Sequence, residues 1–168
     1  MKSKSFILAA AVLAMILTIG LANALAADYP KRPISLICPW GAGGGTDAVS
    51  RIIATLLKKE LGVPVNVVNR TGGSGAVGHT AMATAKPDGY TIGMPTVEIT
   101  MMHWMGLTEV TYKDMTPIAM VNFDPAGINV LAKSSWKTYK DLENHVRENQ
   151  GKLTDSGTGQ GGIWHLAM

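Results

Sequence analysis

The first apolar stretch of the chain is also its longest. Lys2 and Lys4 precede an unbroken apolar run from Phe6 to Leu17, and the stretch closes on small residues at Ala24-Leu25-Ala26. A basic start, an apolar centre and an A-x-A ending are the three parts of a secretory leader. Residues 1–26 are therefore read as a signal peptide cleaved near Ala26, with Ala22-Asn23-Ala24 as the other cleavage point. The competing reading is an uncleaved membrane anchor, since Phe6 to Ala27 carries no charge and is long enough to span. The small and polar second half of the stretch favours the leader. No later segment approaches that length.

Past the leader, short apolar runs alternate with helical periodicity. Residues 33–38 predict a strand ended by Pro39, and the loop Trp40-Gly41-Ala42-Gly43-Gly44-Gly45-Thr46-Asp47 follows. Val49, Ile52, Ile53, Leu56 and Leu57 then repeat at helical spacing up to Leu61, with Lys58 and Lys59 in the last turn and Gly62 as the stop. Val63 to Asn69 predicts a second strand. A glycine loop from Thr71 to Gly75 leads into a short helix ending near Ala85, and Lys86-Pro87-Asp88-Gly89 makes a turn before a third strand at Tyr90–Met94. This βαβαβ order implies a parallel sheet with right-handed crossovers.

The pattern then changes. Residues 97–107, with Met101, Met102, His103, Trp104 and Met105, predict a helix whose methionines fill core gaps or, alternatively, line a cleft. Strands are expected at 117–123 and 128–132 around the turn Asp124-Pro125-Ala126-Gly127. Thr138 and Asp141 cap a helix over 138–149. A strand at 152–155 precedes a third glycine loop, Ser156-Gly157-Thr158-Gly159-Gln160-Gly161-Gly162. Ile163 to Met168 opens a helix that buries too little surface to hold alone, so the sequence reads as cut short inside a βα unit.

Composition narrows the class. With 46% hydrophobic and 16% charged residues, 168 residues suit about one packed globular domain rather than a disordered chain. The formal charge is +3, and the leader takes two of the fifteen basic residues, which leaves the mature chain near neutrality. That excludes an electrostatic case for nucleic acid. The single cysteine, Cys38, allows no intramolecular disulfide and reads as a small buried hydrophobe. The four histidines fall in no metal-binding pattern, so neither metal nor cofactor is expected.

The candidate chemistry lies in the glycine loops. All three follow a strand and precede a helix, which puts them at the carboxyl ends of parallel strands, where open α/β folds bind ligands. Glycine lets main chain approach a ligand closely, and free N–H groups at a helix start favour a carboxylate or phosphate. The simplest alternative is that these glycines only permit tight turns. Asp47 either stabilises the first helical turn or orients a ligand. Trp40 either covers a ligand or caps the core, and His165 either donates to an anion or is a half-exposed helix residue. An enzyme reading competes: Gly73-Ser74-Gly75-Ala76-Val77-Gly78 has the GxGxxG form of a dinucleotide-binding turn, with Glu98 as its downstream acid. Export of the chain argues against a nicotinamide cofactor. No phosphate-binding GxxxxGK[ST] and no GxSxG elbow is present.

Four segments carry a family resemblance. Pro39 to Asp47 with Arg51, Asn69-Arg70-Thr71-Gly72-Gly73-Ser74-Gly75, Pro87-Asp88-Gly89-Tyr90-Thr91, and Ser156-Gly157-Thr158-Gly159 through His165-Leu166-Ala167 resemble, in order, signatures of the Bug-type solute receptors of tripartite tricarboxylate transporters. Thr71 stands where the family usually has proline, and Gln160 to Trp164 replaces commoner small and proline residues. The resemblance implies an α/β fold of the periplasmic-binding-protein type II kind, two lobes of parallel-rich sheet flanked by helices, with the second lobe incomplete. On that basis residues 27–123 would be the first lobe and 124–168 the truncated start of the second. It implies a non-catalytic, monomeric periplasmic receptor that closes on a small organic carboxylate and delivers it to the membrane subunits of a transporter. The binding residues it implies are Trp40, Gly43, Gly44, Gly45, Thr46, Asp47, Gly72, Gly73, Ser74 and Gly75, joined from the other lobe by Gly157, Thr158, Gly159 and His165. A single-lobe interaction module is the remaining alternative.

Overall fold

Three parallel strands form the sheet: β1 (Ile34–Cys38), β2 (Val65–Asn69) and β3 (Thr91–Gly93), in the order β2-β1-β3. These observations come from a computed structural model that describes residues 29–167; the expected leader over residues 1–26 and its cleavage point lie outside the described residues. Helix α1 (Gly45–Leu61) joins β1 to β2, and α2 (Ala76–Ala83) joins β2 to β3. Because the chain steps out to one side of β1 and returns to the other, right-handed crossovers put the two helices on opposite faces.

The register shows both faces. Leu36 pairs with Val67 and Ile92, and this row packs with Ala54, Val49 and Ile53 of α1. The next row, Ile37 with Val68 and Gly93, faces the other way, and there Gly93 lies against Met82 of α2. Central β1 is accordingly the most buried element, with Ile34, Leu36 and Cys38 at its heart. Parallel strands covered on both faces read as continuous apolar runs, and ISLIC is one.

Helix α1 turns only part of its expected apolar face inward: Val49 and Ile53 pack on the sheet beside a row of small and polar residues. Asp47, Ser50 and Ala54 are buried, while Ile52 and Leu56 are more than half exposed. Small residues at 50 and 54 let the helix axis come close to the sheet, and Ser50 satisfies its hydroxyl by donating to the Thr46 carbonyl at 2.7 Å. Gly62 ends the helix in a left-handed conformation and donates back to Lys58, as expected.

Beyond β3 several expectations are corrected. The helix expected over 97–107 is a 3₁₀ turn at Val97–Thr100 followed by irregular turns. Val97, Ile99 and Thr100 are β-branched, and the Thr100 hydroxyl donates to the Val97 carbonyl at 2.8 Å, competing with helical bonding. Its residues still serve packing: Met102 and Ile99 form a second core with Ala76, flanked by Val110 and Met115. The strands expected at 117–123, 128–132 and 152–155 are not formed. A strand needs a neighbour to take its N–H and C=O groups, and an isolated pair is marginal in water. Among the described residues none pairs with these segments, and Ile118 and Phe123 are at least 80% exposed. The capped helix is present as α3 (Tyr139–Glu148), with a reciprocal box in which Asp141 N–H donates to the Thr138 hydroxyl and Thr138 N–H to the Asp141 carboxylate. The last element is the single turn α4 (Ile163–Leu166).

Candidate ligand-binding site

In an open parallel sheet of order 2-1-3, the crevice lies beyond the carboxyl ends of the strands, where β1 meets β3. The first glycine loop leaves β1 there. Gly44 is extended and has no side chain to cap α1, so the N–H groups of Gly45, Thr46 and Asp47 find neither an i−4 carbonyl nor a capping oxygen. These first-turn groups and the aligned peptide dipoles of a 17-residue helix present a positive edge to solvent.

Asp47 fixes the shape of this loop. Its Oδ2 accepts from Gly43 N–H at 2.9 Å and from Arg51 Nε at 2.9 Å; its Oδ1 accepts from Arg51 Nη2 at 3.0 Å and Asn69 Nδ2 at 2.9 Å. Four bonds fill the acceptor capacity of a carboxylate. The Arg51 guanidinium above all, then Gly43 N–H and the Asn69 amide, hold the Asp47 carboxyl well below the usual carboxylate range. Asp47 is therefore committed to the loop. The same Asn69 amide donates to the Trp40 carbonyl at 2.9 Å, and Arg70 N–H to the Cys38 carbonyl at 2.8 Å, so the second loop starts stitched to the first.

That second loop turns through left-handed backbone at Gly72, Gly73, Ser74 and Gly75. Ser74 has a Cβ and still adopts φ 52°, the one described non-glycine residue with positive φ. Gly75 has no room for a Cβ to settle freely, because the His79 ring and Trp40 Cζ2 lie about 3.2 Å from where it would be. Gly78 is tighter: a Cβ there would meet Pro39 Cα at 2.5 Å and the Arg70 carbonyl at 2.6 Å. This glycine brings α2 against the base of the first loop.

The amides expected to face a ligand divide into two groups. Gly43, Gly44 and Gly75 donate within the loops, to Asp47, Gly41 and Gly72 respectively. Gly45, Thr46, Asp47, Gly72 and Gly73 keep N–H groups with no acceptor among the described residues. Trp40 is half-buried over Gly75 and donates through Nε1 to the Thr96 hydroxyl at 3.1 Å. Cys38 is fully buried.

The third loop meets the second and makes no hydrogen bond to the first among the described residues. Ser74 Oγ donates to the Gln160 carbonyl at 2.5 Å, and Gly159 lies beside the same hydroxyl. Gly161 packs on Met105 and Leu107, and Gly157 on the Trp164 backbone. The Thr158 hydroxyl is buried against Gly162 without a hydrogen-bond partner. His165 is exposed, and its Nδ1 accepts from Gly161 N–H at 3.4 Å.

Two residues with no motif to mark them stand beside the site. His79 is fully buried; Thr96 N–H donates to its Nε2 at 3.0 Å, which leaves Nδ1 as the protonated nitrogen donating to the Gly75 carbonyl at 2.7 Å. A nitrogen that accepts from an amide carries no proton, so the ring is neutral, and burial lowers its pKa in the same sense. Its one signal in the sequence is the four-residue spacing from Gly75 at the start of a helix of otherwise small or apolar residues. Thr96 follows β3 by three residues with no signal at all.

The dinucleotide alternative does not fit this geometry. β2 and β3 flank β1 and are not neighbours, so Glu98 does not follow the strand beside the glycine turn. Its oxygens are also taken, Oε2 by the Thr96 hydroxyl at 2.6 Å and Oε1 by Ile163 N–H at 3.3 Å. Among the described residues no group of three or more His, Cys, Asp or Glu side chains could hold a metal, and no helix is long and apolar enough to cross a membrane.

Known proteins similar to the chain point to one family. The profile of the family described as "Tripartite tricarboxylate transporter family receptor" matches residues 49–168. The "UPF0065 protein in gbd 5'region" of Cupriavidus necator is 33% identical to the chain, over 100% of this chain and 53% of its own length. "Protein BugT" of Bordetella pertussis is 38% identical over 66% of this chain and 35% of its own. Among solved structures, a ligand-free TctC solute binding protein from Polaromonas superposes with a TM-score of 0.55 at 40% identity, over 71% of this chain and 42% of that one. The α/β fold is thus that of the periplasmic solute-binding proteins, and the chain spans about half the length of the curated relatives it matches.

Proposed function

Because the chain belongs to the tripartite tricarboxylate transporter receptor family, whose members are receptors and not enzymes, we propose that it binds a small organic carboxylate at the carboxyl ends of β1 and β2. The observation that carries this reading is the pair of stitched loops leaving five main-chain N–H groups, at Gly45, Thr46, Asp47, Gly72 and Gly73, open at a helix start. A carboxylate satisfies such donors with charge-assisted hydrogen bonds. Gly43, Gly44, Gly75 and Asp47 serve by shaping the loops, Trp40 by covering the second one, and Gly157, Thr158, Gly159 and His165 by contributing from a second lobe that begins near residue 124. The whole receptor is proposed to be a periplasmic monomer that hands its di- or tricarboxylate to the membrane subunits of a transporter, after cleavage of its leader near Ala26.

A thermal-shift panel of succinate, malate, adipate, citrate and tartrate tests the reading, with the intact Cupriavidus relative run in parallel. At least one acid is expected to raise the Tm of the chain, by less than it raises that of the relative, because ligand contacts from the uncovered half of the relative are absent. No shift with any acid that shifts the relative would count against it. NAD followed by tryptophan fluorescence is expected to give no saturable change.

A further inference from the structure

All three glycine loops enter one buried cluster whose members lie outside the loops themselves. Trp40 Nε1–H, from the first loop, donates to the Thr96 hydroxyl at 3.1 Å. That hydroxyl has a single proton and gives it to Glu98 Oε2 at 2.6 Å. Thr96 N–H donates to His79 Nε2, and His79 Nδ1–H reaches the Gly75 carbonyl in the second loop. The remaining Glu98 oxygen accepts from Ile163 N–H at the end of the third loop, at 3.3 Å. Every donor and acceptor in this chain is fixed in direction, because the indole and amide nitrogens can only donate and the carbonyl can only accept.

Glu98 is 3% exposed, and no lysine or arginine pairs with it among the described residues. A buried carboxyl group without a cation depends on its neutral hydrogen bonds to offset lost hydration. Nothing in the first-loop and second-loop chemistry requires it: the Asp47 lock is complete without Glu98. Its one link beyond Thr96 is the third loop, and that link reads main chain, as does the Ser74–Gln160 bond. The third loop is therefore held by position and not by its side chains.

We propose that Glu98, oriented by Thr96, is the positioning residue that sets the third glycine loop in register with the first two before any ligand arrives. Placing that loop in advance raises the fraction of molecules ready to bind, and apparent affinity scales with that fraction. This consequence for affinity rests on the carboxylate-receptor reading, whereas the positioning itself does not.

Residue-resolved amide hydrogen exchange on the ligand-free chain tests it. In E98A the Ile163 amide is expected to exchange about three- to tenfold faster, while Leu36 and Ile37 in β1 keep their rates. E98Q retains an acceptor oxygen and is expected to restore most of the protection. An Ile163 rate unchanged in E98A, or raised equally in E98A and E98Q, would overturn the proposal. If E98A exposes the whole sheet to exchange, T96V takes its place, since it removes the hydroxyl that orients Glu98 and with it the acceptor of the Trp40 indole; an unchanged Ile163 amide in T96V would overturn the proposal as well. Succinate and citrate titrations on the same proteins separate the two ideas. Wild-type protein that takes up neither acid while E98A still frees Ile163 would weaken the receptor reading and leave the positioning role standing.

Discussion

Asp47 reads in sequence as an acid that stabilises a first helical turn or orients the first loop or a ligand, and its surroundings make it a lock on that loop. With four donors around two oxygens, it has no capacity left for a ligand or for water. The lowered pKa has a pH consequence with a definite sign. A carboxylate whose folded pKa lies below its unfolded value of about 3.9 stabilises the fold at all pH above that value, and the contribution fades as pH falls through the folded pKa. D47N replaces an acceptor by an amide whose nitrogen would face other donors, so its Tm at pH 7 is expected to be lower than wild type. The gap should narrow as acid protonates wild-type Asp47, and thermal melts from pH 7 down into the acid range will show it. A gap that stays constant into strong acid would contradict the assignment.

Elements impose a second kind of constraint, visible in two glycines. Gly78 lets α2 rest on Pro39 and Arg70, where the obstructing atoms are backbone; at Gly93 the obstruction is the end of the Met82 side chain, which can swing away. G78A is therefore expected to cost about 1–3 kcal/mol or more, and G93A distinctly less, in urea unfolding. Equal losses would mean that α2 can shift as a body. The βαβαβ unit was legible because each of its segments carries its own signal: ISLIC is apolar but for Ser35, VNVVN is rich in valine, and Lys58, Lys59 and Gly62 punctuate α1. The inward face of α1 was legible only in part: Val49 and Ile53 pack inward as their spacing predicts, whereas close approach put Ser50 and Ala54 inside and left Ile52 and Leu56 out. The three later strands were misread for a different reason. Their local pattern suits a strand, but pairing is not a local property. In the site, the loops could be located by their glycines, whereas which amides remain open depends on Asp47, Gly41 and Gly72, and the Thr96–Glu98 cluster exists only once β3 lies beside β1.

At the scale of the whole molecule, residues 117–131 stand out. Ile118, Met120, Phe123 and Leu131 are all at least 70% exposed along one irregular stretch. In a chain that spans about half the length of its relatives, these are apolar side chains that the described residues leave uncovered. The chain is accordingly expected to enhance the fluorescence of 1-anilinonaphthalene-8-sulfonate in its folded state, and a double substitution I118S and F123S to suppress that signal while sheet amides stay protected. No dye response from the folded chain would show that the stretch is covered.

The order of the strands has a consequence in time as well as in space. β1 is the earliest strand among the described residues and lies in the middle of the sheet, so one of its edges is closed by β2 and the other only by β3, through Ser35 with Thr91 and Ile37 with Gly93. The sheet cannot grow outward strand by strand from the N-terminus. It must leave one edge of its centre open while two helices and a loop are laid down, and such distant pairings slow folding. Since the first two glycine loops hang from β1 and β2, and Trp40 reaches Thr96 only when β3 has docked, the link from the first loop to the Thr96–Glu98 cluster is made in the same step that closes the sheet.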